Sequence, residues 1–292
     1  MGRLRSLLSR LTLIKGLAVI GMAVLLCVIA VTWSGTEVKG AVGNRFVLKP
    51  IPASAVHHAW QAPHIRNADG TSLNWSGYAI QGAENPKRKP AKSASESKFT
   101  AVTGSWVVPS VAASDSAYTY SSSWVGMDGY SDNTVEQVGT EQDWSDGTPV
   151  YYAWFEMYPK EAYEIVGFPV EPGDTISGNV EYVGDGKFEL TITNVTADVS
   201  FSTTRRLKSA QRRSAEWIEE APSWGGVLPL ADFGVVDFFD CSATLNGTQT
   251  GTISDAAWQY AITMATSDGT VKAEPSALSP DGAGFSVTWE HE

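Results

Sequence analysis

The sequence predicts an all-β protein, an antiparallel two-sheet β-sandwich of the jelly-roll or concanavalin-like kind. Short runs rich in aromatic and β-branched residues recur from Leu73 onward at the spacing of roughly ten residues that is typical of sandwiches. Gly, Asp, Asn and Pro separate these runs. No helical period lies between them, and no internal repeat is evident, which disfavours a propeller or a solenoid.

An N-terminal hydrophobic helix is expected to precede the sandwich. Four basic residues lie in the first fifteen positions, and eighteen mostly apolar residues follow from Gly16 to Trp33. Residues 1–33 therefore fit both a signal peptide and a signal-anchor helix. The basic flank stays cytoplasmic, so the rest of the chain is expected to be extracytoplasmic. It is either secreted or anchored to the outer face of the cell membrane by this helix.

The remaining chain divides into a leading segment and one domain. Residues 34–70 lack a regular hydrophobic period and carry three prolines, which predicts a linker or a pro-segment. The sandwich domain is expected to span residues 71–292. Within it, the polar segment 83–98 predicts a mobile loop, and the basic cluster 205–213 predicts a solvated loop or a patch for anions.

Composition sets limits on partners. A hydrophobic content of 43% is sufficient for a substantial core. Twenty-one basic residues against thirty-two acidic ones give a net charge of -11, which repels phosphate backbones. We therefore expect no nucleic-acid partner. The sequence does not indicate an oligomeric state.

Several kinds of catalytic and metal site are poorly supported by the sequence. The serine motif GxSxG is absent, and three of the four histidines precede residue 71. Neither HExxH nor paired CxxC motifs occur, so no metal and no cofactor is predicted. Cys27 lies in the apolar run and Cys241 near the other end, so the exported domain cannot form an internal disulfide.

Acids and amides are concentrated among aromatic residues between Trp124 and Pro159. Their alternation with apolar residues is typical of strands that have one buried face and one solvated face. A carboxylate can take a proton from water while an amide stabilises the oxyanion, so glutamate and glutamine together can hydrolyse a peptide bond. The amide stays neutral in acid, where histidine is a cation. Spacing alone does not choose the pair.

The motifs of this chain resemble, in order, those of the glutamic peptidases, the eqolisin family. They are Asn74-Trp75, WVGMDG from Trp124, VEQVG around Gln137, YYAWFEMYP from Tyr151, and AEWIEE ending at Glu220. The similarity covers roughly residues 73–290. It implies a double-sheet antiparallel sandwich with a substrate cleft on its curved face, and a catalytic dyad of Gln137 and Glu220. It also implies an exported acid endopeptidase that acts on polypeptides without a cofactor.

The same resemblance indicates residues that support the dyad. It places Trp124 and Asp128 in the cleft near the dyad, and Glu156 and Tyr158 on or beside the hairpin flap that covers it. Glu141 is a further candidate for the cleft or its support. Trp75 is another.

Two positions depart from the family pattern. Tyr152 stands where many members have aspartate, and Glu219 stands where a hydrophobic residue is expected. In a regular strand Glu219 points to the face opposite to that of Glu220. The disulfides of fungal members are missing, which fits a prokaryotic or archaeal exported member.

Two alternative functions remain open from the sequence. A non-catalytic carbohydrate- or peptide-binding sandwich is one, since Trp75, Trp124 and Trp154 are suited to stacking on sugars. The other is a glycosidase that uses two carboxyl groups across a groove, chosen from Glu141, Glu156 and Glu220.

Overall fold

The computed structural model describes residues 37–39, 45–51, 63–68, 70–82 and 97–292. The predicted apolar helix, the pair His57 and His58, and the greater part of segment 83–98 lie outside these residues. Within the described ranges, no helix has the length and apolar character needed to cross a membrane.

The all-β prediction is confirmed, since the described residues contain twenty strands and one short 3-10 turn. The strand runs expected from residue 73 onward all coincide with strands. In chain order the elements are β1 (Glu37–Lys39), β2 (Arg45–Ile51), β3 (Arg66–Ala68), β4 (Thr71–Ser72), β5 (Trp75–Gln81), β6 (Phe99–Val107), β7 (Tyr118–Thr119), β8 (Ser122–Met127), β9 (Val135–Ser145), β10 (Thr148–Tyr158), β11 (Ala162–Val166), β12 (Thr175–Gly184), β13 (Lys187–Asn194), β14 (Val199–Arg206), β15 (Ser214–Glu220), β16 (Val235–Leu245), β17 (Gln249–Thr252), the 3-10 turn (Ile253–Asp255), β18 (Trp258–Ala265), β19 (Val271–Pro275) and β20 (Phe285–Trp289).

The strands form two layers that are joined into one large sheet. The front layer has the order β18-β5-β15-β8-β9-β10-β11-β2-β1, and all its pairs are antiparallel. The back layer has the order β14-β13-β12-β6-β16-β20-β19 and is also antiparallel. Strand β18 pairs with β5 and with β19, and so connects the two layers.

The main core lies between the layers. Alternate residues of each strand enter it, as expected for a sandwich with inward-facing and outward-facing positions. Trp106, Trp217, Phe155, Phe188 and Phe238 are its large buried side chains. A second, smaller cluster of buried apolar residues lies on the outer face of the front layer.

One part of the leading segment is more regular than predicted. Residues 34–70, in which the sequence shows no regular hydrophobic period, contain strand β2, which pairs with β11 along Ala162–Val166. Phe46 and Leu48 alternate into the main core, while Ile51 belongs to the smaller cluster on the outer face. The prolines in this segment conceal the period-two pattern of so short a strand.

Candidate active site

Strand register places Gln137 and Glu220 on the same face of the front layer. Gln137 on β9 is opposite Gly126 on β8, which is in turn opposite Glu216 on β15. Directly paired residues share a face, and so do residues an even number of positions apart on one strand. Glu220 lies four positions after Glu216 and therefore shares the face of Gln137. Strand β8 is the one strand between them.

Glycines create room for large indoles on this outer face. A Cβ atom added at Gly139 would lie 2.6 Å from the Cβ of Trp124 and 2.9 Å from the Trp154 ring. A Cβ atom at Gly126 would lie 3.0 Å from the Cβ of Gln137. The glycines leave room for the Trp124 side chain, whose strand lies between the strand that carries Gln137 and the strand that carries Glu220.

Two donors hold the carboxylate of Glu220. The indole Nε1 of Trp124 donates to Oε2 at 2.9 Å, and Nδ2 of Asn74 donates to Oε1 at 3.1 Å. Glu220 is fully buried. Because an ionised carboxylate only accepts hydrogen bonds, this pair of donors suits the charged form.

Glu156 links Gln137 to Glu220. It is opposite Gln137 in the β9–β10 pair and accepts a hydrogen bond from Nε2 of Gln137 at 2.7 Å. Burial raises the pKa of Glu156 well above its usual range, the charge of Glu220 raises it further, and the hydrogen bond from Gln137 opposes the shift. Glu156 also shares the outer face with Glu220, because it is opposite Gln137 in the β9–β10 pair.

Oxygen atoms of this cluster remain available to another molecule. Within the described part of the chain, Oε1 of Gln137 and Oε1 of Glu156 are buried and make no hydrogen bond. Buried polar atoms are nearly always paired in native proteins. The two atoms therefore mark a position where a substrate or water can be bound.

Three further predicted residues lie on the same outer face. Trp75 is fully buried, is opposite Glu220 in the β5–β15 pair, and packs edge to face on Trp124 with ring centroids 4.9 Å apart. Glu141 is buried and is opposite Ser122. Tyr158 is half-buried near the end of β10. It lies on the second strand of the β9–β10 hairpin, as does Glu156, and both are far from the hairpin turn.

Asp128, which the family resemblance places in the cleft, makes its hydrogen bonds elsewhere. Its carboxylate accepts three successive backbone N–H groups, those of Gln211 at 2.7 Å, Arg212 at 2.6 Å and Arg213 at 2.7 Å. It adopts a φ of 68°, a left-handed conformation that Asp tolerates better than most residues. Asp128 thus holds the end of the basic cluster 205–213, immediately before β15.

The two departures from the family pattern lie in different places. Tyr152 is on the outer face opposite Glu141, and burial, followed by the charge of Glu141, raises its pKa well above the usual range. Glu219 is on the inner face, where it accepts a hydrogen bond from the hydroxyl of Ser123. Burial raises the pKa of Glu219 to about 8. Because Glu219 points to the inner face, it does not share the face of Glu220.

No pattern in the sequence identified Asn74 as a partner of Glu220. Asn74 directly precedes Trp75 in the Asn74-Trp75 motif, and membership of that motif could have pointed to a role for Asn74 in the site. Glu216, fully buried on the same face, was also not singled out. Among the residues that the structure describes, no group of three or more His, Cys, Asp or Glu side chains is arranged to hold a metal ion.

Residues from the leading segment cover part of the outer face. Ile51 packs into the cluster that contains Trp75 and Trp124. The His64 ring makes a tilted contact with the Trp75 ring, with centroids 5.7 Å apart, and the carbonyl of Pro63 accepts a hydrogen bond from Asn74 at 3.4 Å.

Comparison with known proteins gives consistent matches. Residues 74–288 match the model of the peptidase A4 family. Aspergillopepsin-2 of Aspergillus niger is 31% identical over 203 residues, which cover 62% of this chain and 67% of that protein. Scytalidopepsin B of Scytalidium lignicola is 32% identical over 187 residues, 60% of this chain and 64% of that protein.

Solved structures show the same fold. Scytalido-glutamic peptidase with a transition-state analogue inhibitor has a TM-score of 0.61 at 24% identity, over 75% of this chain and 98% of that chain. Aspergilloglutamic peptidase from Aspergillus niger has a TM-score of 0.53 at 31% identity, over 59% of this chain and 99% of that chain.

Proposed function

The chain belongs to the peptidase A4 family, the glutamic peptidases or eqolisins, and from this premise we propose that it is an acid endopeptidase whose catalytic dyad is Gln137 and Glu220. That it is a glutamic-type peptidase follows from the family. The dyad is supported chiefly by one observation: Gln137 and Glu220 share the outer face of the front layer, and β8 is the one strand between theirs.

Glu220 is proposed as general base and then general acid. Its carboxylate takes a proton from water while the water oxygen attacks the carbonyl carbon of the peptide bond. The resulting carboxylic acid then gives that proton to the leaving amine. Trp124 and Asn74 hold the two oxygens in place, so little reorganisation precedes the reaction.

Gln137 is proposed to stabilise the oxyanion that forms on the attacked carbonyl. Its side-chain amide has two N–H groups, and one of them is used by Glu156. The other is left for the oxyanion, where a buried donor is most effective. Its Oε1 atom is able to accept a hydrogen bond from the attacking water.

Glu156 is proposed as a positioning residue. It fixes the rotation of the Gln137 amide and, because its pKa is raised, it is neutral in acid. A neutral Glu156 beside an ionised Glu220 leaves a single negative charge in the cluster. Two carboxyl groups whose environments separate their pKa values commonly divide their roles in this way.

Acid conditions are supported by further buried carboxyl groups. Burial raises the pKa values of Glu136 and Glu216 well above their usual range. The neutral forms of these side chains are therefore favoured in the folded protein. A low working pH avoids the cost of burying their charges.

Export and processing are also part of the proposal. The apolar run at the N-terminus supports an extracytoplasmic location. Residues 34–70 are proposed to be a pro-segment, because Ile51, Pro63 and His64 cover the face on which a polypeptide substrate must bind. Mass spectrometry of the mature N-terminus tests both statements.

The direct test is proteolysis of a denatured protein in acid by the wild type and by Gln137→Ala. Loss of an oxyanion donor costs about 10²- to 10³-fold in kcat. Cleavage by the wild type that resists a transition-state inhibitor of aspartic proteases excludes an aspartic contaminant. Undiminished kcat in Gln137→Ala would overturn the proposed role of the amide.

A further inference from the structure

The ring of His64 lies between two aromatic side chains of the sandwich domain. It stacks on Tyr130 with centroids 5.0 Å apart and planes 13° apart, and it makes a tilted contact with Trp75 with centroids 5.7 Å apart and planes 32° apart. We name the space between Tyr130 and Trp75 the aromatic slot. Tyr260 also stacks on Tyr130, with ring centroids 4.8 Å apart, which supports the orientation of the Tyr130 ring.

His64 is a poorly matched occupant of the aromatic slot. Its Nε2 atom is buried and has no hydrogen-bond partner among the residues that the structure describes. Burial also lowers its pKa to about 4, while interactions with the backbone of Tyr130 and Thr71 oppose the shift. A flat side chain without a polar atom would make the same stacking contacts and leave no buried nitrogen unpaired. The slot is therefore better suited to an aromatic hydrocarbon ring than to an imidazole.

The aromatic slot adjoins the proposed dyad. Trp75 is opposite Glu220 in the β5–β15 pair and contacts Trp124, which donates to Glu220. Nδ2 of Asn74 contacts both Oε1 of Glu220 at 3.1 Å and the carbonyl of Pro63 at 3.4 Å. The peptide carbonyl that precedes the slot occupant is thus held by the same amide as the proposed catalytic carboxylate.

The main chain around His64 is held by backbone hydrogen bonds, as an extended substrate peptide would be. The N–H of His64 donates to the carbonyl of Gly129 at 3.1 Å. The N–H of Ile65 donates to Oδ1 of Asn74 at 2.9 Å. Backbone bonds of this kind do not depend on the side chains of the bound segment. They are available to any extended polypeptide that replaces it.

We propose that the aromatic slot is a substrate subsite that takes a planar aromatic side chain within one residue of the cleaved peptide bond. His64 fills this subsite from within the chain, and the substrate replaces it. This inference rests on the proposed peptidase function and adds a substrate preference to it. We assign the preference for an aromatic substrate side chain to Tyr130. Trp75 is less suitable for testing it, because Trp75 also packs on Trp124, which donates to Glu220.

The test compares peptides that differ at a single residue, either Phe or Ala, at each position next to the cleaved bond. A stacked aromatic pair contributes about 0.5–1.5 kcal/mol, so Tyr130→Ala is expected to lower the Phe-to-Ala ratio of kcat/KM by about two- to tenfold. The control is Tyr163→Ala, which removes a half-buried tyrosine stacked on Phe155 at 5.2 Å on the inner face. Its ratio is expected to equal that of the wild type.

Two results distinguish failure of the subsite from failure of the peptidase. A mature wild type, with its N-terminus identified by mass spectrometry, that cleaves no peptide contradicts the proposed function itself. A wild type that cleaves peptides, with the same Phe-to-Ala ratio in Tyr130→Ala, overturns the subsite alone. If Tyr130→Ala does not fold, Tyr130→Leu replaces it, since leucine keeps apolar volume and removes the planar ring. Tyr130→Leu is then expected to lower the Phe-to-Ala ratio of kcat/KM by the same amount. An unchanged ratio in this variant would likewise overturn the subsite.

Discussion

The indole N–H of Trp124 lies 2.9 Å from Oε2 of Glu220, and it reaches that oxygen from the strand adjacent to β15. The contact follows from register, because Trp124 is opposite Ile218, two residues before Glu220. A large side chain fits there because Gly139 is its partner on the other side. A single tryptophan therefore links the two strands of the proposed dyad.

Trp124→Phe is expected to lower kcat/KM by about 10- to 100-fold, since hydrogen bonds to charged groups contribute about 1.5–3 kcal/mol. Phenylalanine retains most of the buried ring, so the protein stays folded. The matched control is Trp154→Phe on the same face, whose indole donates to the neutral hydroxyl of Ser122 at 3.1 Å. Equal losses in the two variants would contradict a specific role for Trp124.

Glu156→Ala is expected to reduce kcat more than it changes KM, because it releases the amide of Gln137 without removing a substrate contact. A loss of about two- to tenfold is expected from the value of a hydrogen bond between neutral groups, about 0.5–1.5 kcal/mol. Glu156→Gln keeps an acceptor oxygen and is expected to restore part of kcat. Separate measurement of kcat and KM checks this. A rise in KM alone would show that Glu156 binds substrate instead of positioning Gln137.

Stability is expected to fall as pH rises from about 4.5 to about 8. A carboxyl group whose pKa is raised on folding stays protonated in the folded state while the unfolded state ionises, so alkali favours unfolding. For Glu219 the folded pKa is about 8 and the ordinary value is 4.5, which sets this window. Glu136 and Glu216 shift in the same direction.

Thermal unfolding at pH 4 and at pH 8 measures this effect. Glu219→Gln removes one titrating group while keeping its shape, and the difference in Tm between the two pH values is expected to shrink. The raised pKa corresponds to a contribution on the order of a few kcal/mol. An unchanged difference in Tm would mean that Glu219 does not carry the pH dependence.

Asp128→Ala is expected to destabilise the protein by about 2–4 kcal/mol, since it leaves the N–H groups of Gln211, Arg212 and Arg213 without their acceptor. Asp128→Asn is expected to cost less, because asparagine keeps one oxygen and also tolerates a positive φ. Urea unfolding compares the two. Asp146→Ala, which changes an exposed positive-φ aspartate in the β9–β10 turn, serves as the control. A loss no larger than that of the control would contradict the anchoring role of Asp128.

The fold was predictable from local pattern because the sandwich strands are short runs of aromatic and β-branched residues, and several of them alternate over several residues. Phe188, Leu190 and Ile192 on β13, for instance, all enter the core while their neighbours are more exposed. Strand β2 was missed because its short alternation of Phe46 and Leu48 lies among prolines. An alternation of only two core residues is too short to indicate a strand when the neighbouring prolines indicate a loop.

The candidate site was less predictable because register, which sequence spacing does not specify, assembles it. Gln137 and Glu220 were identified by family resemblance, whereas spacing left several acids equivalent. The contacts of Asn74 with Glu220 and of His64 with Tyr130 join distant parts of the chain. No local pattern predicts such pairs. The carbohydrate-binding and glycosidase alternatives are not retained, because the chain belongs to a peptidase family.

Adjacent glutamates on β15 provide the most direct test of the dyad. Glu219 and Glu220 are both fully buried, but they point to opposite faces of the front layer. The measurement is kcat/KM in acid for Glu219→Gln and Glu220→Gln on the same peptide, with folding checked by thermal unfolding. We predict that Glu219→Gln keeps the activity of the wild type, while Glu220→Gln loses at least the roughly 10²- to 10⁴-fold that general acid–base catalysis contributes. Retained activity in folded Glu220→Gln would contradict the account.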